Sequence, residues 1–87
     1  MKQKMSALVM QVLQYDLIVL QMIQHQQYES ALLLLQEALH IYHYIDQHLP
    51  LIEDPIFAQE LKAAITHKIY TLENTIKKLN QRLKSLH

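Results

Sequence analysis

Residues Gln26 to Asp46, QQYESALLLLQEALHIYHYID, contain neither Gly nor Pro and are apolar round most of a helical cylinder. Their polar side chains fall on one narrow line, Glu29, Gln36, His40 and His43, running on to Gln47, with Leu33 its one apolar interruption. Spacings of three, four and seven put that line on one side of a helix. Tyr28, Leu32, Leu35, Leu39, Tyr42 and Ile45 make one apolar flank, and Leu34, Ala38, Ile41 and Ile45 the next. A surface helix usually carries an apolar stripe of about 100°. This one is nearly twice as wide, so it is expected to be a central helix covered from two sides.

The preceding segment, Ser6 to His25, reads as a first helix with Ser6 as its N-cap. Ala7, Gln11, Gln14, Gln21 and His25 mark its solvent line, with Ile18 the exception. Leu8, Val12, Tyr15, Val19 and Met22, with Val9, Leu13, Leu20 and Ile23 beside them, are expected to face inward. The link Gln24-His25-Gln26-Gln27 is polar but holds no helix breaker. A break is expected there nonetheless, because one helix from Ser6 to His48 would be about 65 Å long and could not fold back on itself.

The next boundary is explicit. Both prolines lie in Leu49-Pro50-Leu51-Ile52-Glu53-Asp54-Pro55. Pro50 lacks an N–H and drives Leu49 out of the helical region. Asp54 as N-cap with Pro55 in the first helical position then starts a third helix. Leu51 and Ile52 are expected to tuck under the end of the bundle. From Pro55 to about Leu86, the residues Ile65, Ile69, Leu72, Ile76, Leu79, Leu83 and Leu86 alternate spacings of four and three. That is a narrow heptad seam on a helix about 48 Å long, against about 30 Å for each of the other two. Its last two turns are expected to overhang.

A chain of 87 residues makes one domain, 1–87, with an apolar share of 51% that suffices for a core. The absence of Cys excludes disulfides, thiolate metal sites and cysteine nucleophiles, and the absence of Gly disfavours tight hairpins and phosphate-cradling loops. The apolar run Leu17 to Leu20 is far too short to span a bilayer, and the N-terminal MKQKMSALVM lacks a following small-residue cleavage site. A cytoplasmic protein is the expectation. Between Met5 and Gln59 there are six acids and no Lys or Arg, whereas Glu60 to His87 carries six bases against two acids. Such a basic face is either solvated and paired with the acidic half, or a docking surface for an acidic partner.

Catalytic chemistry finds little purchase. Glu37 and His40 have the spacing of half a di-iron carboxylate site, but no second pair exists and both lie on the face assigned to solvent. Ser6, Ser30 and Ser85 lack a nucleophile motif, and no cofactor signature is present. The basic end of the third helix is too slight a signal for nucleic-acid binding in a chain of zero net charge. The expectation is a non-enzyme with no metal and no cofactor. Of five tyrosines, Tyr15, Tyr28 and Tyr42 fit core flanks, while Tyr44 and Tyr70 fall nearer the polar side. Tyr44, with Ile41 and His48, is the candidate contact for a protein partner.

The segments LQMIQHQQYESALLLLQEALHIYHYID and ITHKIYTLENTIKKLNQRLKSL, joined by a proline-bearing link, resemble the FliT-type flagellar export chaperones. Tyr28-Glu29 stands where that family has an aromatic-acidic pair opening its second helix, and Thr71-Leu72-Glu73-Asn74 and Gln81-Arg82-Leu83 fall in its third-helix register. The turn lacks the family's Gly, and His40 takes the place of a basic residue. The resemblance implies a small chaperone that holds the amphipathic C-terminal helix of a filament-cap protein and passes it to the type III export apparatus. The family's fourth helix has no counterpart here, so the client groove is expected to be uncovered or filled by self-association. Residues 27–39 are also similar to a tetratricopeptide helix pair, and with the third helix to a microtubule-interacting-and-transport (MIT) domain.

The expected architecture is an all-α, three-helix antiparallel bundle with helices about 6–25, 28–48 and 55–86. Partner contacts are expected at Leu34, Ile41, Tyr44, Ile45, His48 and Tyr70, through an amphipathic client helix. The alternative is an oligomerisation module or homo-oligomer joined along Ile69, Leu72, Ile76, Leu79 and Leu83.

Overall fold

The computed structural model describes residues 2–86, with side chains described from Lys4 to Ser85; Met1 and His87 lie outside the described residues. Three α-helices follow in order, α1 (Lys2–Gln24), α2 (Tyr28–Gln47) and α3 (Pro55–Leu86), with a short 3-10 turn (Leu49–Leu51) before α3. No strand occurs among the described residues. The molecule is a rod of 49 × 18 × 15 Å with a radius of gyration of 14.4 Å. A rounder domain of this length would measure about 12 Å, and the excess reflects the 32-residue α3.

Each helix contributes a sevenfold repeat to one core. From α1 come Met5, Val12 and Val19, and from α3 Ile65, Leu72 and Leu79. The buried set on α2, Tyr28, Ala31, Leu35, Ala38, Tyr42 and Ile45, alternates spacings of three and four along the whole helix. Those spacings keep the seam facing its neighbours. The alanines are the narrow points of α2, and the half-buried Leu32, Leu34, Leu39 and Ile41 widen it on both sides. Lys62 Nζ reaches Asp46 Oδ1 at 3.0 Å, and the Arg82 guanidinium lies 5.1 Å from the centre of the Tyr28 ring. The start of α3 thus meets the end of α2, and its far end meets the start of α2. Lys4 near the start of α1 lies over Tyr44 near the end of α2. Lys68 Nζ to Asp16 Oδ2, 2.6 Å, ties α3 to α1.

The turn between α1 and α2 is made without glycine. Gln26 takes a left-handed φ of 61°. Its N–H donates to the Ile23 carbonyl at 3.1 Å, and the Gln27 N–H donates to the Met22 carbonyl at 2.8 Å. That pair of bonds is a Schellman ending, whose left-handed position is usually Gly. At the other corner Asp54 Oδ1 accepts from the backbone N–H groups of Ile56 and Phe57 at 3.0 and 3.2 Å, capping α3 behind Pro55. Such a cap is worth about 1 kcal/mol.

Several sequence expectations need correcting. α1 begins at Lys2, so Ser6 lies inside the helix and is no cap. Leu13 and Leu20 point outward, 48% and 53% exposed, because α2 and α3 cover only the side of α1 that carries Met5, Val12 and Val19. Leu51 is exposed rather than tucked in; Leu49 fills the bundle end in its place. The overhang of α3 is shorter than expected, since Arg82 still packs on Tyr28.

Candidate functional site

The partner contacts expected on α2 do not all share a surface. Leu34, Ile41 and His48 repeat at sevens and are half-buried, and Tyr44 stands beside them, also half-buried. Ile41 and Tyr44, with His40 from α2 and Lys4 and Leu8 from α1, line a shallow groove of about 280 Å³. Ile45, one residue past Tyr44, is rotated by about 100° into the core and is 0% exposed. It packs within the core and offers a partner no surface. Tyr70 is 67% exposed on α3, well round the helix from the Ile65–Leu72–Leu79 core line and apart from the α1–α2 groove.

The rim of the groove is organised around Tyr44. The His48 ring stacks on it with centroids 4.0 Å apart and planes 27° from parallel. His48 Nδ1 lies 2.8 Å from the Tyr44 carbonyl oxygen. That carbonyl only accepts, so the Nδ1 carries the proton and donates it. The Lys4 ammonium lies 5.4 Å from the Tyr44 ring centre, within cation–π range. Two side chains, Lys4 of α1 and His48 just past the end of α2, therefore hold one aromatic in place at the groove mouth. A fixed aromatic loses little entropy when a partner covers it.

Elsewhere on α2, Tyr42 is buried in the core. Burial, and secondarily the nearby Asp16 carboxylate, push its hydroxyl pKa up to about 12. The group stays neutral at physiological pH and packs as a core residue.

The seam on α3 is placed inside the molecule. Leu72 and Leu79 are buried, and Ile69, Ile76 and Leu83 pack partly buried against the same core; the side chain of Leu86 lies outside the described residues. Two of the α3 bases, Lys62 and Lys68, pair with acids of α2 and α1. Lys77, Lys78 and Lys84 are exposed towards the far end. Glu37 and His40 are both exposed, and no group of three or more metal-ligating side chains occurs among the described residues.

One feature escaped the sequence reading. The stretch Lys4–Gln24 of α1 is long enough and apolar enough to cross a membrane, and only Met5, Val12 and Val19 of it are buried. Met10, Leu13, Leu17 and Leu20 stand 59%, 48%, 66% and 53% exposed. Their spacing of three, four and three was visible all along, as a second line beside the Met5–Val12–Val19 repeat. Compared with known proteins, the chain matches no family model, no curated protein and no solved structure.

Proposed function

We propose that this chain is a non-catalytic, cytoplasmic binding module, an antiparallel three-helix bundle that holds an amphipathic helix of a protein client in the α1–α2 groove. The observation that carries this reading is the Tyr44 mouth of the groove, fixed by His48 and Lys4 above the apolar floor of Leu8 and Ile41. At about 280 Å³ the groove falls just below the range of small-molecule sites, about 300–1,000 Å³. It suits one or two apolar side chains of a docked helix. The resemblance of residues 13–86 to flagellar export chaperones supplies the client class, the C-terminal helix of a filament-cap protein on its way to type III export. Sequestering that helix would keep its apolar face from aggregating.

The rival reading, a coiled-coil oligomeriser built on Ile69 to Leu83, has to take Leu72 and Leu79 out of this chain's own core. Titration calorimetry with a synthetic peptide of the filament-cap C-terminal helix tests the proposal. One-to-one uptake is expected, weakened at least about tenfold by Tyr44→Asp with the helical circular dichroism unchanged. No uptake by the parent chain, or equal uptake by Tyr44→Asp, would overturn it.

A further inference from the structure

We infer that the outer seam of α1 is a second interface, and that its occupant is the same seam of another copy of this chain in antiparallel orientation. Met10, Leu13, Leu17 and Leu20 lie on the side of α1 turned away from Lys4 and Leu8, so the seam and the client groove are on opposite faces. Among the described residues all four are about half exposed or more; Met10, at the end of the seam, also borders α3, lining a cavity of about 270 Å³ with Phe57 and Leu61.

Three observations select a second copy. The first is spacing. Ser6, Met10, Leu13, Leu17, Leu20 and Gln24 alternate four and three. The pattern reads the same in both directions about Tyr15. A two-fold axis there sets Met10 against the partner's Leu20, Leu13 against the partner's Leu17, and Ser6 against the partner's Gln24. An isologous interface requires such self-complementarity, and alternating layers are how antiparallel helices interlock. The second is charge. Between Met5 and Gln24 the only charged residue of α1 is Asp16, and it is engaged by Lys68. The seam is flanked by Gln14, Gln21 and Gln24. Two copies therefore meet without like-charge repulsion, and the amides can bond to one another across the joint.

The third is what the seam lacks. A helix that lies on a membrane surface carries Lys and Arg along its polar face; this face carries glutamines. A helix that crosses a membrane would place Asp16 near the bilayer centre at a cost of several kcal/mol, and would have to withdraw Met5, Val12 and Val19 from the core. The joint is short, about 15 Å of seam from Met10 to Leu20. It falls below the roughly 800 Å² per partner of a standard interface. A weak dimer in concentration-dependent exchange with monomer follows.

The chain has no cysteine, so introduced thiols report cleanly. Met10→Cys mixed with Leu20→Cys should form the mixed disulfide under mild oxidation. Met10→Cys alone should not self-link, because the two thiols would sit about 15 Å apart. Sedimentation equilibrium of the parent chain should show a dimer that weakens at least about tenfold in Leu13→Lys/Leu17→Lys, with helical content unchanged. Tyr44→Asp should leave that dimer intact, which separates this inference from the client-groove reading. A parent chain monomeric at every concentration would overturn the inference. So would a dimer that persists in the double lysine variant, or Met10 self-links that outnumber mixed ones. Uptake of the parent chain by phosphatidylcholine–phosphatidylglycerol vesicles, with no dimer in solution, would overturn it in favour of a membrane surface.

Discussion

Two seams in this molecule have the same alternation of three and four and opposite fates. On α3, Ile65, Leu72 and Leu79 are 2–6% exposed, while on α1, Met10, Leu13, Leu17 and Leu20 are 48–66% exposed. The residue types are comparable and both helices are long, so intrinsic preference does not separate them. What separates them is supply. α3 has one apolar line and spends it on α2, whereas α1 has two lines and α2 and α3 cover only one. An apolar pattern thus states how much surface wants cover, and the neighbours decide which part receives it. The surplus on α1 is what the inferred dimer uses.

The sharpest way to break this comparison is to truncate one residue of each seam. Leu72→Ala leaves a cavity in a close-packed core and should destabilise the fold by about 2–5 kcal/mol. Leu17→Ala, at 66% exposure, should change stability by no more than about 0.5 kcal/mol when measured at monomer dilution. Urea unfolding of the two variants at equal concentration checks both. Equal losses would mean that the α1 seam is buried in solution by something within the chain.

Tyr42 reads the closed side of the α2 core by titration. Its hydroxyl titrates near 12 when folded, against an ordinary value of 10.0. The unfolded chain therefore loses this proton first, and folding stability falls as pH rises from about 10 to about 12, by up to about 1.4 kcal/mol per pH unit. Below pH 10 the contribution is fully present. The difference in stability between the parent chain and Tyr42→Phe should be flat up to about pH 10 and then shift in favour of Phe. A difference that stays flat to pH 12 would mean that the site is wetter than the structure has it.

The smallest effect concerns the turn that sets the two seams against each other. Gln26 holds a left-handed φ that costs a residue with a Cβ roughly 1 kcal/mol relative to glycine. Gln26→Gly should stabilise the fold by up to about that amount in thermal unfolding. Destabilisation would show that the glutamine side chain contributes more than its backbone strain takes away.

Much of the fold was legible because its signals are local. The loss of an N–H at Pro50, the Asp54 carboxylate behind Pro55 and the width of the apolar surface on α2 all act within a turn or two of chain. The site was only partly legible. Helical spacing puts Leu34, Ile41 and His48 on one line, but placing Ile45 with them needs a face that the core had already taken. The joining of Tyr44 to Lys4 depends on two helices 40 residues apart in sequence, which no local pattern records.

By itself, then, the sequence determined three helices, the corner at Pro50 to Pro55 and the heptad lines available for packing, since each follows from backbone geometry and side-chain period. Only the tertiary structure decided which lines are spent. α1 offers more apolar surface than two neighbours can cover, and which line they cover is set by where α2 and α3 sit. Leu13 and Leu20 were left outside, Leu49 rather than Leu51 closed the bundle end, and the α3 seam went into this chain's own core.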